Sequence, residues 1–370
     1  MNSAMHPSRQ SSKVERVLVC ILSATRAHEL CFSSFKRHVL DELNADLAVA
    51  LTISTQYDYE NPFWQHAKYR WTAPEFDDIG QGFDLAQRWI CSERDLPPQD
   101  WRALLAVKGI WQGRIQSPEP QLTASSIQTF CRWLLLHGLR QDGVLDRYDR
   151  FVLTRSDFFW LSSHPPLDIL DQDMIWVPEE QDYGGLNDRH LVASRQNIGN
   201  CLGVLEEILL HPLELYREMK HKQWNNEQFF AHHLKRCGLS DRIRRFPYVM
   251  YMARSVRDRS PTWSRGKYEP TAGHYVKYSG EYRIARAFAT VIRDRADWER
   301  GSWRSFDPDG FQEPQVSIFS RLLKGAQCFY FNYIVRLPSV VQPGGAALIG
   351  RKLRQLFKQN VLYRRRVSVG

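Results

Sequence analysis

Residues 15–54 read "ERVLVCILSATRAHELCFSSFKRHVLDELNADLAVALTIS". Val17–Leu22 is an apolar run with no polar alternation, the pattern of a central parallel strand covered on both faces. Cys31, Phe35 and Val39 then recur at every fourth position and line one face of a helix. Residues 47–53 return to an apolar run, a second strand. A strand, a helix and a strand in this order make a right-handed crossover unit. The loop "SATRAH" leaves the carboxyl end of the first strand, where open α/β sheets hold their ligands, so Thr25 and Arg26 are candidate contacts.

Working outward, residues 55–80 read as irregular, with Pro62, Pro74 and clustered aromatics. Residues 83–137 are expected to be mostly helical, interrupted by "LPPQD" and "SPEPQLTASS". In "SSIQTFCRWLLLHGL" (residues 125–139), the spacing of Ile127, Phe130, Leu134 and Leu135 predicts a helix, and Gly138 its stop. Strands are expected at 150–154, 174–177 and 190–193, with helices near 197–219 and 226–236 and one more strand in "FPYVMYMA". Alternating strands and helices predict an α/β fold with a mostly parallel sheet flanked by helices.

With 43% hydrophobic residues among 370, the chain can bury one large domain or two smaller ones. Seven scattered cysteines without a CxxC pair read as reduced thiols rather than a disulfide framework or zinc site. The polar opening "MNSAMHPSRQSSKVER", the six-residue apolar run after it and the lack of an N-x-Ser/Thr sequon predict a cytoplasmic protein. The net charge of +9 is concentrated at one end: residues 314–370 carry ten basic side chains and no acid, so the preceding 313 residues sum to −1.

No GxGxxG follows the first strand, and no P-loop, GxSxG elbow or HExxH occurs. Four polar segments remain. Thr25-Arg26 is the first. The second is Arg155-Ser156-Asp157 inside "YDRFVLTRSDFFW" (residues 148–160), where a carboxylate stands among strand-forming residues. Either it faces an anionic or metallic ligand, or it pairs with Arg155 on the same strand face. The third is "DYGGLNDRH" (182–190), where Gly184 and Gly185 permit a close backbone approach and Asn187, Asp188 and Arg189 crowd ahead of a strand. Asp188 could equally hold the glycine turn in an Asx motif. The fourth is "WNNEQFFAHHL" (224–234), where Asn225 or Asn226 caps a helix with Glu227 in its first turn. An acid there gains about 0.3–1 kcal/mol from the helix dipole whether or not it is catalytic. His232 and His233 read as helix surface.

In the order of these segments the chain resembles the A-type nucleotide-sugar glycosyltransferases, in particular a divergent bacterial and viral group built around cell-surface glycans. The residues that carry it are "RVLVCILSATRAHELCFSSFKRHVLDEL", "YDRFVLTRSDFFW", "GGLNDRHLVASR" and "NNEQFFAHHL", within residues 15–250. The resemblance implies a Rossmann-like domain with a uridine- or guanosine-type nucleotide over the first strand. The family's Asp-x-Asp metal motif would fall on Arg155-Ser156-Asp157, its glycine-rich acceptor loop on Tyr183-Gly184-Gly185, and its Glu-Asp motif on Asn226-Glu227. This sequence departs from the family with Arg155 at the first Asp position and Gln228 after Glu227. The late histidine that often completes the family's metal shell is not identifiable here, although His274 is available.

The expectations are then these. Thr25, Arg26, Arg155 and Asp157 bind a nucleotide-sugar donor, and Asp157 holds a divalent cation, manganese or magnesium. Tyr183, Gly184, Gly185 and Asn187 bind a glycan or lipid-linked acceptor, and Glu227 or Asp188 is the catalytic carboxylate. Residues 1–14 would be disordered, 15–257 the catalytic domain, 258–343 an extension completing or flanking the site, and 344–370 a basic amphipathic tail. In "AALIGRKLRQLFKQN" (346–360) Ile349, Leu353, Leu356 and Phe357 share one helical face amid basic residues, which suits an anionic membrane surface. The rival readings are packing of that helix on the domain, nucleic-acid binding by the tail, and a catalytically inactive relative that binds carbohydrate or nucleotide.

Overall fold

The computed structural model describes residues 15–22, 24–53, 61–118, 123–255, 266–311 and 318–334. The expected disordered start (1–14) and basic tail (344–370) lie outside them. The chain divides into two compact units, Met1–Arg265 with Lys277–Phe311, and Gly266–Val276 with Gln312–Gly370.

The first unit is built on a seven-stranded sheet. Its strands are β1 (Val17–Leu22), β2 (Asp46–Ile53), β3 (Tyr69–Pro74), β4 (Arg150–Thr154), β6 (Ile175–Pro178), β7 (Leu191–Ser194) and β8 (Ile243–Phe246); β5 (Phe158–Trp160) stands apart from it. The order across the sheet is β3-β2-β1-β4-β7-β6-β8. β1 pairs in parallel with β2 and β4, β2 with β3, and β6 with β8, while β7 runs against both its neighbours. The expected α/β class with a mostly parallel sheet flanked by helices is the one observed.

All six residues of β1 are buried, and alternate side chains feed different cores. Leu18, Cys20 and Leu22 join one hydrophobic cluster with Ala48, Ala50, Phe151 and Leu153, whereas Val19 and Ile21 join another with Val49 and Val152. Burial on both faces explains why these strands read as continuous apolar runs.

Four expectations are corrected. Residues 55–80 contain β3, an edge strand whose partly exposed "YRWTAP" has no apolar run to betray it. Gly138 does not stop its helix, which runs Ser125–Gln141. It lets the helix approach the indole of Trp71, three of whose atoms would lie 2.5 Å from a Cβ at that position. The helix expected over 197–219 is three, Arg195–Leu202, Val204–Leu210 and Pro212–Met219, broken at Gly203 and at Pro212. "FPYVMYMA" is divided between the end of β8 and a separate strand, β9 (Met250–Arg254). All seven cysteines lie among the described residues and none is bridged.

β5 and β9 pair antiparallel, with Phe158 opposite Met252 and Trp160 opposite Met250. The second unit holds a hairpin of β10 (Lys267–Glu269) and β11 (His274–Val276) and the helix Ile318–Phe329. Asn332 accepts from the Tyr268 amide at 2.9 Å, and the Phe331 ring stacks on Tyr268 at 4.1 Å. His274 belongs to this unit. Among the described residues no helix is long and apolar enough to cross a membrane.

Gly138→Ala tests the helix–sheet packing. Alanine is the better helix former by about 1 kcal/mol, yet the forced contact with Trp71 is expected to lower unfolding free energy by about 1–3 kcal/mol in urea melts. A neutral or stabilising result would contradict the close approach.

Candidate active site

β1 and β4 lie side by side and point the same way, with Ile21 opposite Thr154. Their carboxyl ends therefore deliver Thr25-Arg26 and Arg155-Ser156-Asp157 to one edge of the sheet. β1 is followed by β2 on one side and pairs on the other with β4, after a long excursion, so this edge is the topological switch point of the sheet. The two loops are tied together: Ser156 Oγ donates to the Ala24 carbonyl at 3.2 Å. Thr25 is buried, and its hydroxyl accepts from Asn61 Nδ2 at 2.8 Å.

Asp157 is 1% exposed and lies in a clamp of guanidiniums. Arg155 Nε and Nη2 reach its two carboxylate oxygens at 2.9 and 3.2 Å, and Arg254 Nη1 reaches the second at 2.6 Å. Arg254 arrives through the β5–β9 pairing, in which the Ala253 amide donates to the Asp157 carbonyl at 2.8 Å. Burial alone would raise the Asp157 carboxyl. Arg155 and Arg254, with Arg26 adding to the field, hold it well below the usual carboxylate range. Of the two sequence readings, the ion pair with Arg155 is therefore present and has a third member. Removing the carboxylate would strand two guanidiniums, at a cost of about 3–5 kcal/mol typical of broken buried pairs.

A divalent ion at Asp157 does not fit this arrangement. Three N–H donors already occupy both oxygens, and a double charge about 4–5 Å from a guanidinium is repelled by roughly 7 kcal/mol at an effective dielectric near 20. Among the described residues no group of three or more His, Cys, Asp or Glu is assembled to hold a metal.

The other two sequence segments meet beside this clamp. Asn225 caps the helix Asn226–Arg236 in a capping box with Gln228, which gives Gln228 a structural purpose. Asn225 Nδ2 also donates to the Tyr183 carbonyl at 2.8 Å, and the Leu186 amide to the Glu227 carbonyl at 3.0 Å. Gly185 lies so close to the helix start that a Cβ there would be 2.2 Å from the Glu227 carbonyl. Glu180, Gln181, Tyr183 and Gly184 all have positive φ, so the loop is held in a left-handed shape that three of these residues disfavour. Asn187 is buried, donates to the Glu180 carbonyl at 3.2 Å and accepts from the Arg189 amide at 3.0 Å. Asp188 accepts from Gln128 Nε2 at 2.9 Å and from Asn226 Nδ2. Arg132 supports it, donating to the Asp188 carbonyl at 2.6 Å.

Glu227 is partly buried. Burial, then the Asp188 carboxylate, pushes its carboxyl up to about 7, while Arg189 and Lys277 act the other way. A carboxylate poised near neutrality can take or give a proton at physiological pH. Asp188, bonded to Gln128 and Asn226, adds to the effect of burial.

The two halves share one electrostatic environment, since Arg155 feels both Asp188 and Arg189. Arg189 of the third segment is paired with Glu281, at 2.6 Å, a fully buried residue that the sequence did not mark. Two further members were not legible as part of a site. Lys277 is brought down to about 7 by burial and by repulsion from Arg155 and Arg254. Arg254 closes an apolar strand, and a cation in that place is the one signal that could have marked it. His233 is corrected from surface to core: it is 4% exposed and bonded to Glu207 and to the Asn200 carbonyl. A cleft of ≈ 370 Å³ opens beside Gly184 and Gln228, lined also by Trp224 and His232; none of the charged groups around Asp157 and Glu227 lines it.

Glu227→Gln tests the environment of the carboxyl. Unfolded, the group releases its proton near 4.5; folded, near 7. Between these values the unfolded chain gives up a proton that the folded chain keeps, so stability falls as pH rises, and the full cost is present above pH 7. The variant is expected to gain on the order of 2 kcal/mol over wild type at pH 8 and almost nothing at pH 4. An equal effect at both pH values in denaturant titrations would contradict the raised carboxyl.

No family model matches the sequence, and no curated protein matches it. Among solved structures, the chain is similar to the crystal structure of galactosyltransferase LgtC in complex with donor and acceptor sugar analogs, with 11% identity and a TM-score of 0.32 over 62% of this chain and 73% of that one.

Proposed function

We propose that this chain is a glycosyltransferase that moves a sugar from a nucleoside diphosphate donor to a hydroxyl of a glycan or lipid-linked acceptor. The observation that carries this reading is the convergence of four sequence-distant segments at the carboxyl ends of β1 and β4. There a cluster of cations borders a carboxyl group poised near pH 7.

The chemistry follows from the two halves. In the donor half, Thr25 and Arg26 flank the nucleotide and Arg155 faces the diphosphate, whose charge grows as the sugar departs. In the acceptor half, Tyr183, Gly184, Gly185 and Asn187 shape the approach of the hydroxyl. Glu227 accepts its proton as the oxygen bonds to the anomeric carbon. The bond from that carbon to the diphosphate oxygen breaks, and its electron pair leaves with the nucleoside diphosphate. Asp188 keeps Glu227 basic and correctly placed. Peripheral attachment to an anionic membrane through 344–370 would bring such an enzyme to lipid-linked acceptors.

The test is release of nucleoside diphosphate from a panel of uridine and guanosine diphosphate sugars. One donor is expected to turn over, with kcat/KM rising with pH toward about 7 as Glu227 loses its proton. Glu227→Gln is expected to lower kcat by about 10²–10⁴-fold. Turnover of no donor, or full activity in the variant, would remove the proposal.

A further inference from the structure

Arg254 and Arg189 are both more than nine-tenths buried, and each keeps donors without a partner among the described residues: Nε of Arg254, and Nε and Nη2 of Arg189. Buried guanidinium N–H groups demand acceptors. The nearest carboxylates are already used, Asp157 by Arg155 and Arg254, and Glu281 by Arg189. Four cationic side chains, Arg26, Arg155, Arg254 and Lys277, act on the single carboxylate of Asp157. Lys277 is itself partly buried, its ammonium 4.5 Å from the centre of the Tyr278 ring. Arg26, Arg155 and Lys277 are only partly buried, so this group of cations at the sheet edge suits a polyvalent anion.

We infer that the diphosphate of the donor is bound by these guanidinium and ammonium groups without a divalent cation, Asp157 being spent on fixing Arg155 and Arg254. The inference rests on the donor reading above and deepens it. Planar guanidinium forks match pairs of phosphate oxygens and stabilise the departing charge as a metal otherwise would. Lys277 lies outside the hydrogen-bonded clamp, so its charge can be removed without stranding a buried partner.

The experiment is calorimetric titration of the full chain with inorganic pyrophosphate and with uridine and guanosine diphosphates, each in EDTA and again in excess manganese. Pyrophosphate and one nucleoside diphosphate are expected to bind in EDTA, with Kd within threefold of its value in manganese. Lys277→Met is expected to weaken both at least tenfold while leaving the thermal melting profile of the unliganded protein in place. Binding that appears only with manganese would overturn the metal-free inference, and binding in EDTA that the variant leaves unchanged would overturn its assignment to these cations; either would leave the transferase reading standing. Metal-free binding of pyrophosphate without any nucleoside diphosphate would uphold the cation site and defeat the transferase reading. Binding of neither under either condition would defeat both.

Discussion

Strands β1 and β4 run in the same direction with Ile21 facing Thr154, and most of the site follows from that pairing. It needs both strands to be apolar on both faces, which Leu18 and Val19 on one strand and Phe151 and Val152 on the other supply to the two cores. Once the register is set, the backbone leaves both strands at the same edge. A threonine, three positively charged or hydroxylated neighbours and an aspartate then have no apolar core to enter. A slip by one residue would exchange the faces of every side chain and is excluded by burial.

The second constraint is the two-sided use of Asp157. Its carbonyl accepts from the Ala253 amide and its carboxylate from Arg155 and Arg254, so the short pair of β5 and β9 is secured by backbone and charge together. A buried ion pair of this kind contributes little net stability over an apolar substitute but fixes geometry, because any other arrangement strands a charge. Around it the local balance is positive, whereas burial and then the Asp188 carboxylate raise the Glu227 carboxyl toward neutrality. One half is thus suited to an anion and the other to a proton transfer.

How much of this was legible depends on how local the signal is. The crossover unit of residues 15–54 carries its own pattern in the β1 run and in Cys31 and Phe35, and it folds as read. Arg155 and Asp157 stood out because they interrupt a run of strand-forming residues, and Asp188 and Glu227 because each stands beside a local turn or cap signal. Arg254 and Lys277 did not, since they join the site only through the three-residue strand Phe158–Trp160 and its partner, which no local periodicity announces. The reversal of β7 was likewise invisible: "LVAS" is buried on both faces and carries no mark of direction. β3 escaped because a half-exposed edge strand alternates polar and apolar like irregular chain.

The central claim is that the edge beyond β1 and β4 grips a diphosphate. A crystal structure of the protein with a bound nucleoside diphosphate tests it most directly. The account predicts phosphate oxygens within hydrogen-bonding distance of Arg155 and at least one of Arg254 and Lys277, with the nucleoside beside Thr25. Density for the diphosphate in the cleft against Trp224 and His232, with the Asp157 clamp untouched, would contradict it.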